Sequence, residues 1–376
     1  MDLPPNTVII DNGGHTLKVG LAGEDAPRAA VPALVGHSRA PELEIAVDKP
    51  GFCVGEKALR RRGLLDVRWP LQGRRVIDFD EMEKLWHHAF YGALRADPRG
   101  HACLATVSAD FTAADRERAA EVFFEALRCP ALHLGDQAVL GLYSTGRTRG
   151  VAVDCGHGAT HVAPVFEGHV SPYVRGRSAV AGEAVTRRLQ QLLAARGLTF
   201  SAVRDEETVR AVKEQLCFVA ADFPRESRAF AERPRARQLP FALPDGQSLS
   251  FGEELVAAPE LLFAPGPAAP GELGLAELIG KSHAAGESEV HRGLFEHIVL
   301  FGGSTLLPGL PERLCAAVKE LSAPPANFAV TASAGREFAS WLGGSVFACL
   351  APFASMWVGL REYEERGASA LHEKFF

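Results

Sequence analysis

Two stretches of the chain end an apolar run on an aspartate and follow it with glycine: VIIDNGGHTLK at 8–18 and VAVDCGHGATH at 151–161. Such a run reads as a buried strand that turns sharply, because glycine reaches the positive φ that other residues avoid. A carboxylate at the strand end, Asp11 or Asp154, suits a divalent cation held directly or through water. The backbone N–H groups behind it form a concave anion site, and Lys18, seven residues past Asp11, can reach the same anion. One glycine turn alone is most often only a turn. Two matched turns, together with FGGST at 301–305, argue for a nucleotide clamped between two homologous halves. Each turn also carries a histidine, His15 and His157, and His161 closes the second stretch.

Alternating strand-like and helix-like patterns must position these groups. ACLATVSA (102–109) reads as a buried strand, DEMEKLWHHAFYGAL (80–94) as a helix behind an aspartate cap, and ADRERAAEVFFEAL (114–127) as a helix with one charged face. PALHLGDQAVLGLYSTG (130–146) runs strand, turn, helix. A second wave starts at 151, with helices expected at 182–196 and 205–221, a strand and turn at 297–309, and a helix at 338–351. This alternation indicates mixed α/β layers. Two segments interrupt it, SRAPELEIAVDKPGF (38–52) and APGPAAPGELG (264–274), and both read as surface loops by composition.

The chain has 376 residues, 47% of them hydrophobic and 23% charged, which is enough for two or three core-forming units. A net charge of -6 and a pI near 6.1 give no global pull toward nucleic acid or anionic membrane. Seven cysteines, odd in number and never in a C-x-x-C pair, fit reduced thiols in a cytosolic or nuclear compartment. MDLPPNTVII lacks a basic n-region and a long h-region, and no window reaches the length of a membrane span, so the chain reads as soluble and unprocessed.

The chain resembles actin and the actin-related proteins. The resemblance rests on VIIDNGG, AGEDAPRA (22–29), DEMEKLWHHAFY (80–91), QAVLGLYSTGRTRG (137–150), VKEQLCFVAADF (212–223), LPDGQ (243–247), FGGSTLLPG, and the tail FASMWVGLREYEERGASALHEKFF. It implies the α/β actin-like ATPase fold, with duplicated ribonuclease-H-like domains, four subdomains and a nucleotide cleft between the halves. The expected outer half is 1–144 with 339–376, including a small subdomain 33–69, and the inner half is 145–338, including a small subdomain 181–269.

The resemblance also implies roles. Gly13, Gly14, His15, Thr16, Leu17 and Lys18, with Gly156, His157 and Gly158, would grip the phosphates of ATP or ADP. Asp11 and Asp154 would border magnesium. Gln137 and His161 would orient and help activate the attacking water, which is most of what phosphoryl transfer asks of a protein. Without the family, Gln137 reads as a polar helix start and His161 as a satisfied core histidine. Gly182, Arg210, Lys213, Glu214, Gly302, Gly303 and Ser304 match the adenosine pocket. Tyr143, Thr148, Phe347, Leu350, Phe353 and Met356 match an apolar partner cleft for actin-binding-type ligands.

Departures from the family temper these expectations. Gly14 and His15 stand where actins have Ser then Gly, His157 stands where they have Asp, and Glu337 stands where they have the Lys that covers adenine. Losing a carboxylate weakens a hard-cation site, so a retained but weakened magnesium–nucleotide site is expected, with ATPase activity weak at most. His15, His157 and His161 are expected to face one another, as a pH-dependent phosphate grip, a zinc-like site, or drift at a slow site. Gly73 stands at the position where many actins have a histidine beside the phosphate-release path. An acidic, Pro-bounded loop and a Pro/Ala plug at 265–274 remove the apolar tips of actin's filament contacts.

These features indicate a divergent actin-like cytoskeletal structural protein of the cytoplasm, holding ATP as a structural ligand and acting in a complex with other actin-like or cytoskeletal proteins. A germ-cell type fits the short length and worn polymer contacts. The alternatives are a self-polymerising ATPase and an actin-related subunit of a chromatin or dynein-activator complex. No direct nucleic-acid contact and no membrane span are expected.

Overall fold

A computed structural model describes residues 6–39, 51–200, 203–233, 235–243, 246–286, 288–321, 325 and 327–375, with the side chains of 203, 204 and 353 outside that description. The chain divides into two compact units: Met1–Thr148 with Glu167–His169 and Phe338–Phe376, and Arg149–Phe166 with Val170–Glu337.

In the first unit, β1 (Val8–Asn12) turns into β2 (Thr16–Leu21), which pairs with β3 (Ala29–Pro32). On its other edge β1 runs parallel to β4 (Cys103–Val107), which runs parallel to β5 (Ala131–Asp136). The short strand Val358–Gly359 completes the sheet beside β5. β1 and β4 read as near-continuous apolar runs because both faces of the sheet are covered. One face takes Trp86, Phe90, Phe123 and Phe124, and the other takes Trp341, Trp357 and Leu140. Trp341 is tied to the strand it covers, its indole N–H donating to the Ile9 carbonyl at 3.2 Å.

The second unit repeats the plan. β6 (Arg149–Cys155) pairs antiparallel with β7 (Thr160–Phe166), β7 pairs with β8 (Gly176–Ser178), β6 runs parallel to β9 (His297–Phe301), and β9 runs parallel to β10 (Ala329–Thr331). Val151, Val153, Leu300 and Ile298 pack with the helices Gly182–Ala195, Val203–Leu216 and Leu310–Lys319 into one core. In each unit, then, an Asp–Gly hairpin occupies the sheet beside a parallel strand.

Several local expectations change. The helix expected at 80–94 starts at Phe79, capped by Asp78, whose side chain accepts from the Glu81 N–H, and from His88 to Leu94 it widens into π-helical turns. The helix expected at 114–127 likewise becomes π-helical at Val122–Ala126. The helix expected at 205–221 runs Val203–Leu216, because the Phe218 N–H turns to the Leu255 carbonyl and the Val219 N–H to the Pro308 carbonyl. The last long helix is Ala339–Cys349, with 3-10 turns at Arg336–Phe338 and Ala351–Met356.

Most of the acidic loop at 38–52 lies outside the described residues. The Pro/Ala segment is described: it carries a 3-10 turn at Gly266–Ala268, and Glu272 fastens it by accepting from the Ser178 hydroxyl and the Ala179 N–H, both at 2.8 Å.

Candidate functional site

In the first unit the end of β1 carries a dense polar network. Asp11 is buried, and Lys18, in register with it across β2, places its ammonium 3.0 Å from Oδ2. Oδ1 accepts from the Thr106 hydroxyl at 2.7 Å and from Gln137 Nε2 at 3.0 Å. Burial alone would raise the Asp11 carboxyl, but the Lys18 charge and the bonds from Thr106, Lys18 and Gln137 outweigh it and hold the carboxyl below its usual range. The carboxylate is therefore charged in the folded protein.

Asn12 extends the network. Its amide donates to the Thr106 carbonyl at 2.8 Å, and its Oδ1 accepts from the Trp86 indole at 3.0 Å. Gly13 lies within this web: a Cβ there would sit 2.5 Å from the Thr16 carbonyl oxygen and 2.8 Å from Lys18 Nζ, so the turn requires glycine. Gly14 and Thr16 are half-buried, Leu17 is buried, and the His15 ring stacks on Trp69 with centroids 4.9 Å apart.

Gln137 opens the helix Gln137–Tyr143, whose cap is Asp136, accepting from the Ala138 N–H. The Gln137 side chain is buried. Besides Asp11, its Nε2 lies 3.1 Å from Thr106 Oγ1 and 3.2 Å from the Asn12 carbonyl, and its Oε1 accepts from Arg74 at 3.0 Å.

Backbone carbonyls anchor the turn of the second unit. The Gly156 carbonyl accepts from the Gly182 N–H at 3.0 Å and from the Ser304 hydroxyl at 2.7 Å, and the His157 carbonyl accepts from the Glu183 N–H at 2.8 Å. Gly158 is half-buried behind them. Asp154 and His161, both buried, face each other in register across β6 and β7. Gly302, at φ 90°, passes so close beneath that a Cβ would lie 2.5 Å from the Cys155 carbonyl oxygen and 2.7 Å from Asp154 Oδ1. The Gly302 N–H donates to the Arg336 carbonyl at 3.1 Å, while Gly303 is exposed. Lys213 is buried, donates to the Gly182 carbonyl at 3.2 Å, and is lowered below the usual ammonium range by that burial. Arg210 pairs with Glu207 at 2.7 Å and Glu214 at 2.8 Å.

The partner-cleft residues belong to the first unit. Tyr143 and Phe347 lie parallel with centroids 6.4 Å apart, Leu350 and Thr148 are exposed, and Met356 is half-buried. Phe347 itself is buried, stacking on His133 at 4.7 Å. The Phe353 side chain lies outside the described residues. Among the described residues no group of three or more His, Cys, Asp or Glu side chains is disposed to hold a metal ion, which gives the zinc expectation no support.

Sequence reasoning missed Thr106, Asn12, Arg74 and Arg336. Thr106 was detectable as the one hydroxyl inside the apolar run CLATV. Arg74 gave no signal, because its partner lies 63 residues away in sequence.

Two α/β units with matching Asp–Gly hairpins, each beside a parallel strand, are the architecture of the actin-like ATPase fold. The family model described as Actin matches residues 3–376, and the chain belongs to the actin family. Proteins of this family generally bind nucleotide with magnesium and work with protein partners. No helix among the described residues is long and apolar enough to cross a membrane.

Proposed function

We infer that this is a divergent actin-like structural protein of the cytoplasmic cytoskeleton, which holds ATP as a structural ligand and acts by assembling with other actin-like or cytoskeletal proteins. The observation that carries the reading is Asp11, kept ionised by Lys18, Thr106 and Gln137 at the mouth of a glycine turn. Such a group suits water-mediated contact with magnesium, and the turn's backbone suits phosphate. Asp154 offers the corresponding carboxylate in the second unit. Bound magnesium would supply positive charge against the phosphates. Lys18 already neutralises part of the Asp11 charge and His157 adds no carboxylate, so the cation site is weak and hydrolysis slow. Gly182, Lys213 and Ser304, linked by hydrogen bonds, form the adenosine side of the reading.

Assembly with a different partner follows from the filament contacts. The Pro/Ala segment is tethered by Glu272 and presents proline and alanine in place of a large apolar tip. A second reading, a self-polymerising ATPase, is favoured by one observation: Gln137 sits beside Asp11, where a water-positioning residue would be needed. Sedimentation of purified protein at micromolar concentration with magnesium and ATP separates the two. The protein should stay in the supernatant alone and enter the pellet only with filaments of another actin-like protein; a substantial pellet by itself would establish the second reading.

A further inference from the structure

Arg74 occupies an unusual position. The strands Leu71–Gln72 and Arg75–Val76 form a hairpin whose two-residue turn is Gly73–Arg74, with φ of 53° and 73°. Positive φ at both central residues defines a turn that asparagine and glycine take readily, and for other side chains the left-handed conformation costs about 1–2 kcal/mol. Glycine at 74 would relieve that strain. Strain of this kind persists where surrounding structure or function holds it. Here the Ser108 hydroxyl donates to the Arg74 carbonyl at 2.8 Å, which fixes the turn, and the guanidinium reaches Gln137 Oε1 at 3.0 Å.

The consequence falls on Gln137. Its Nε2 is engaged by Asp11, Asn12 and Thr106, and its oxygen is engaged by a charged donor, so the carboxamide is held at both ends. A water attacking a terminal phosphate gives up a proton to a phosphate oxygen or bulk water while the new oxygen–phosphorus bond forms and the bond to the bridging oxygen breaks, releasing the nucleoside diphosphate. A carboxamide oxygen that helps orient this water offers it a lone pair. A guanidinium on that oxygen competes for the lone pair and withdraws electron density from it.

The geometry points to Arg74 as a latch: a positioning residue that holds Gln137 in a resting orientation and keeps hydrolysis of the bound nucleoside triphosphate slow. This rests on the nucleotide reading above and explains the slow hydrolysis by a residue outside the glycine turns.

The test is single-turnover hydrolysis of ATP by the full-length protein with Arg74→Gly, Arg74→Ala and Arg74→Lys, with nucleotide affinity and thermal midpoint measured on the same samples. A charge-assisted bond to a neutral oxygen is lost in R74G and R74A, and the rate should rise about tenfold with affinity changed by less than about twofold. R74K, which keeps a cationic donor, should restore slow hydrolysis. Because glycine takes the positive φ at position 74 without strain, R74G should lose less thermal stability than R74A, and the rate gain should be the same in both. In the double variant R74A/Q137A the gain should vanish relative to Q137A. A rate that is unchanged or lower in R74G, with nucleotide bound, overturns the latch and leaves the nucleotide reading intact. Failure of every variant and of the wild type to bind nucleotide overturns that reading and the latch with it.

Discussion

The two Asp–Gly turns share a strand plan and differ in what holds them. In the first, the carboxylate is a hub: Lys18, Thr106 and Gln137 converge on Asp11, and Asn12 ties the turn to β4 and Trp86. In the second, the bonds to Gly156 and His157 go to their carbonyl oxygens, from Gly182, Ser304 and Glu183. Bonds accepted by the Gly156 and His157 carbonyls do not depend on which side chain stands at 157, so they persist with a histidine there. A turn organised around a buried charge does not tolerate loss of that charge.

The largest expected effect follows from this contrast. Asp11→Ala leaves the Lys18 ammonium without its carboxylate and the Thr106 hydroxyl without its acceptor, and should cost about 4 kcal/mol. All four tryptophans, Trp69, Trp86, Trp341 and Trp357, belong to the first unit, so selectively excited tryptophan fluorescence in a urea titration reports that unit. The fluorescence midpoint should fall sharply in D11A; a midpoint within error of the wild type would dissolve the distinction between the turns.

Acid should also act on the first unit. His133 is buried among Phe347, Trp357 and Phe375, and burial lowers its imidazole from 6.5 to about 4, despite a bond to the Met356 carbonyl. Because the folded value is depressed, the stability is fully present above pH 6.5 and is lost as pH falls from 6.5 toward 4. The loss approaches about 3 kcal/mol once both states are protonated. Asp11 acts in a lower window: its contribution is present above its ordinary value of 3.8 and disappears as pH falls through its still lower folded value. In His133→Phe the loss between pH 6.5 and 4 should shrink, leaving the Asp11 step; an unchanged acid profile would remove His133 as its cause.

In the second unit, Gly302→Ala forces a Cβ against the Cys155 carbonyl and Asp154 at positive φ, and should cost about 2 kcal/mol with weaker nucleotide retention. Ser304→Ala removes one hydroxyl bond and should cost about 1 kcal/mol. Limited proteolysis within 170–337 follows both, and the fluorescence midpoint should move less than in D11A. If S304A matched D11A in size, the second turn would depend on side chains as much as the first.

What was legible in the sequence was the local part of this picture. The Asp–Gly turns showed because an apolar run cannot continue through glycine, and the alternating pattern exposed the α/β layering. The end of the helix Val203–Leu216 was not legible, since the apolar residues Cys217, Phe218 and Val219 continue the run while the Phe218 and Val219 N–H groups leave the helix for the Leu255 and Pro308 carbonyls. The π-helical widening at His88–Leu94 leaves no mark in a helical pattern, though it ends at Arg95 in a left-handed conformation. The hub on Asp11 was half legible: Lys18 lies close in sequence, whereas Thr106, Gln137 and Arg74 arrive through the parallel strand order and a distant hairpin. The stack of His15 on Trp69 depends on the same kind of long-range placement.

The measurement that bears most directly on a weakly hydrolysing nucleotide site is release and quantification of the nucleotide from freshly purified protein, with metal analysis of the same sample. Near-stoichiometric ATP, with magnesium at or below one equivalent, is the expected result. Stoichiometric ADP would contradict slow hydrolysis, and an empty protein would contradict nucleotide as a structural ligand.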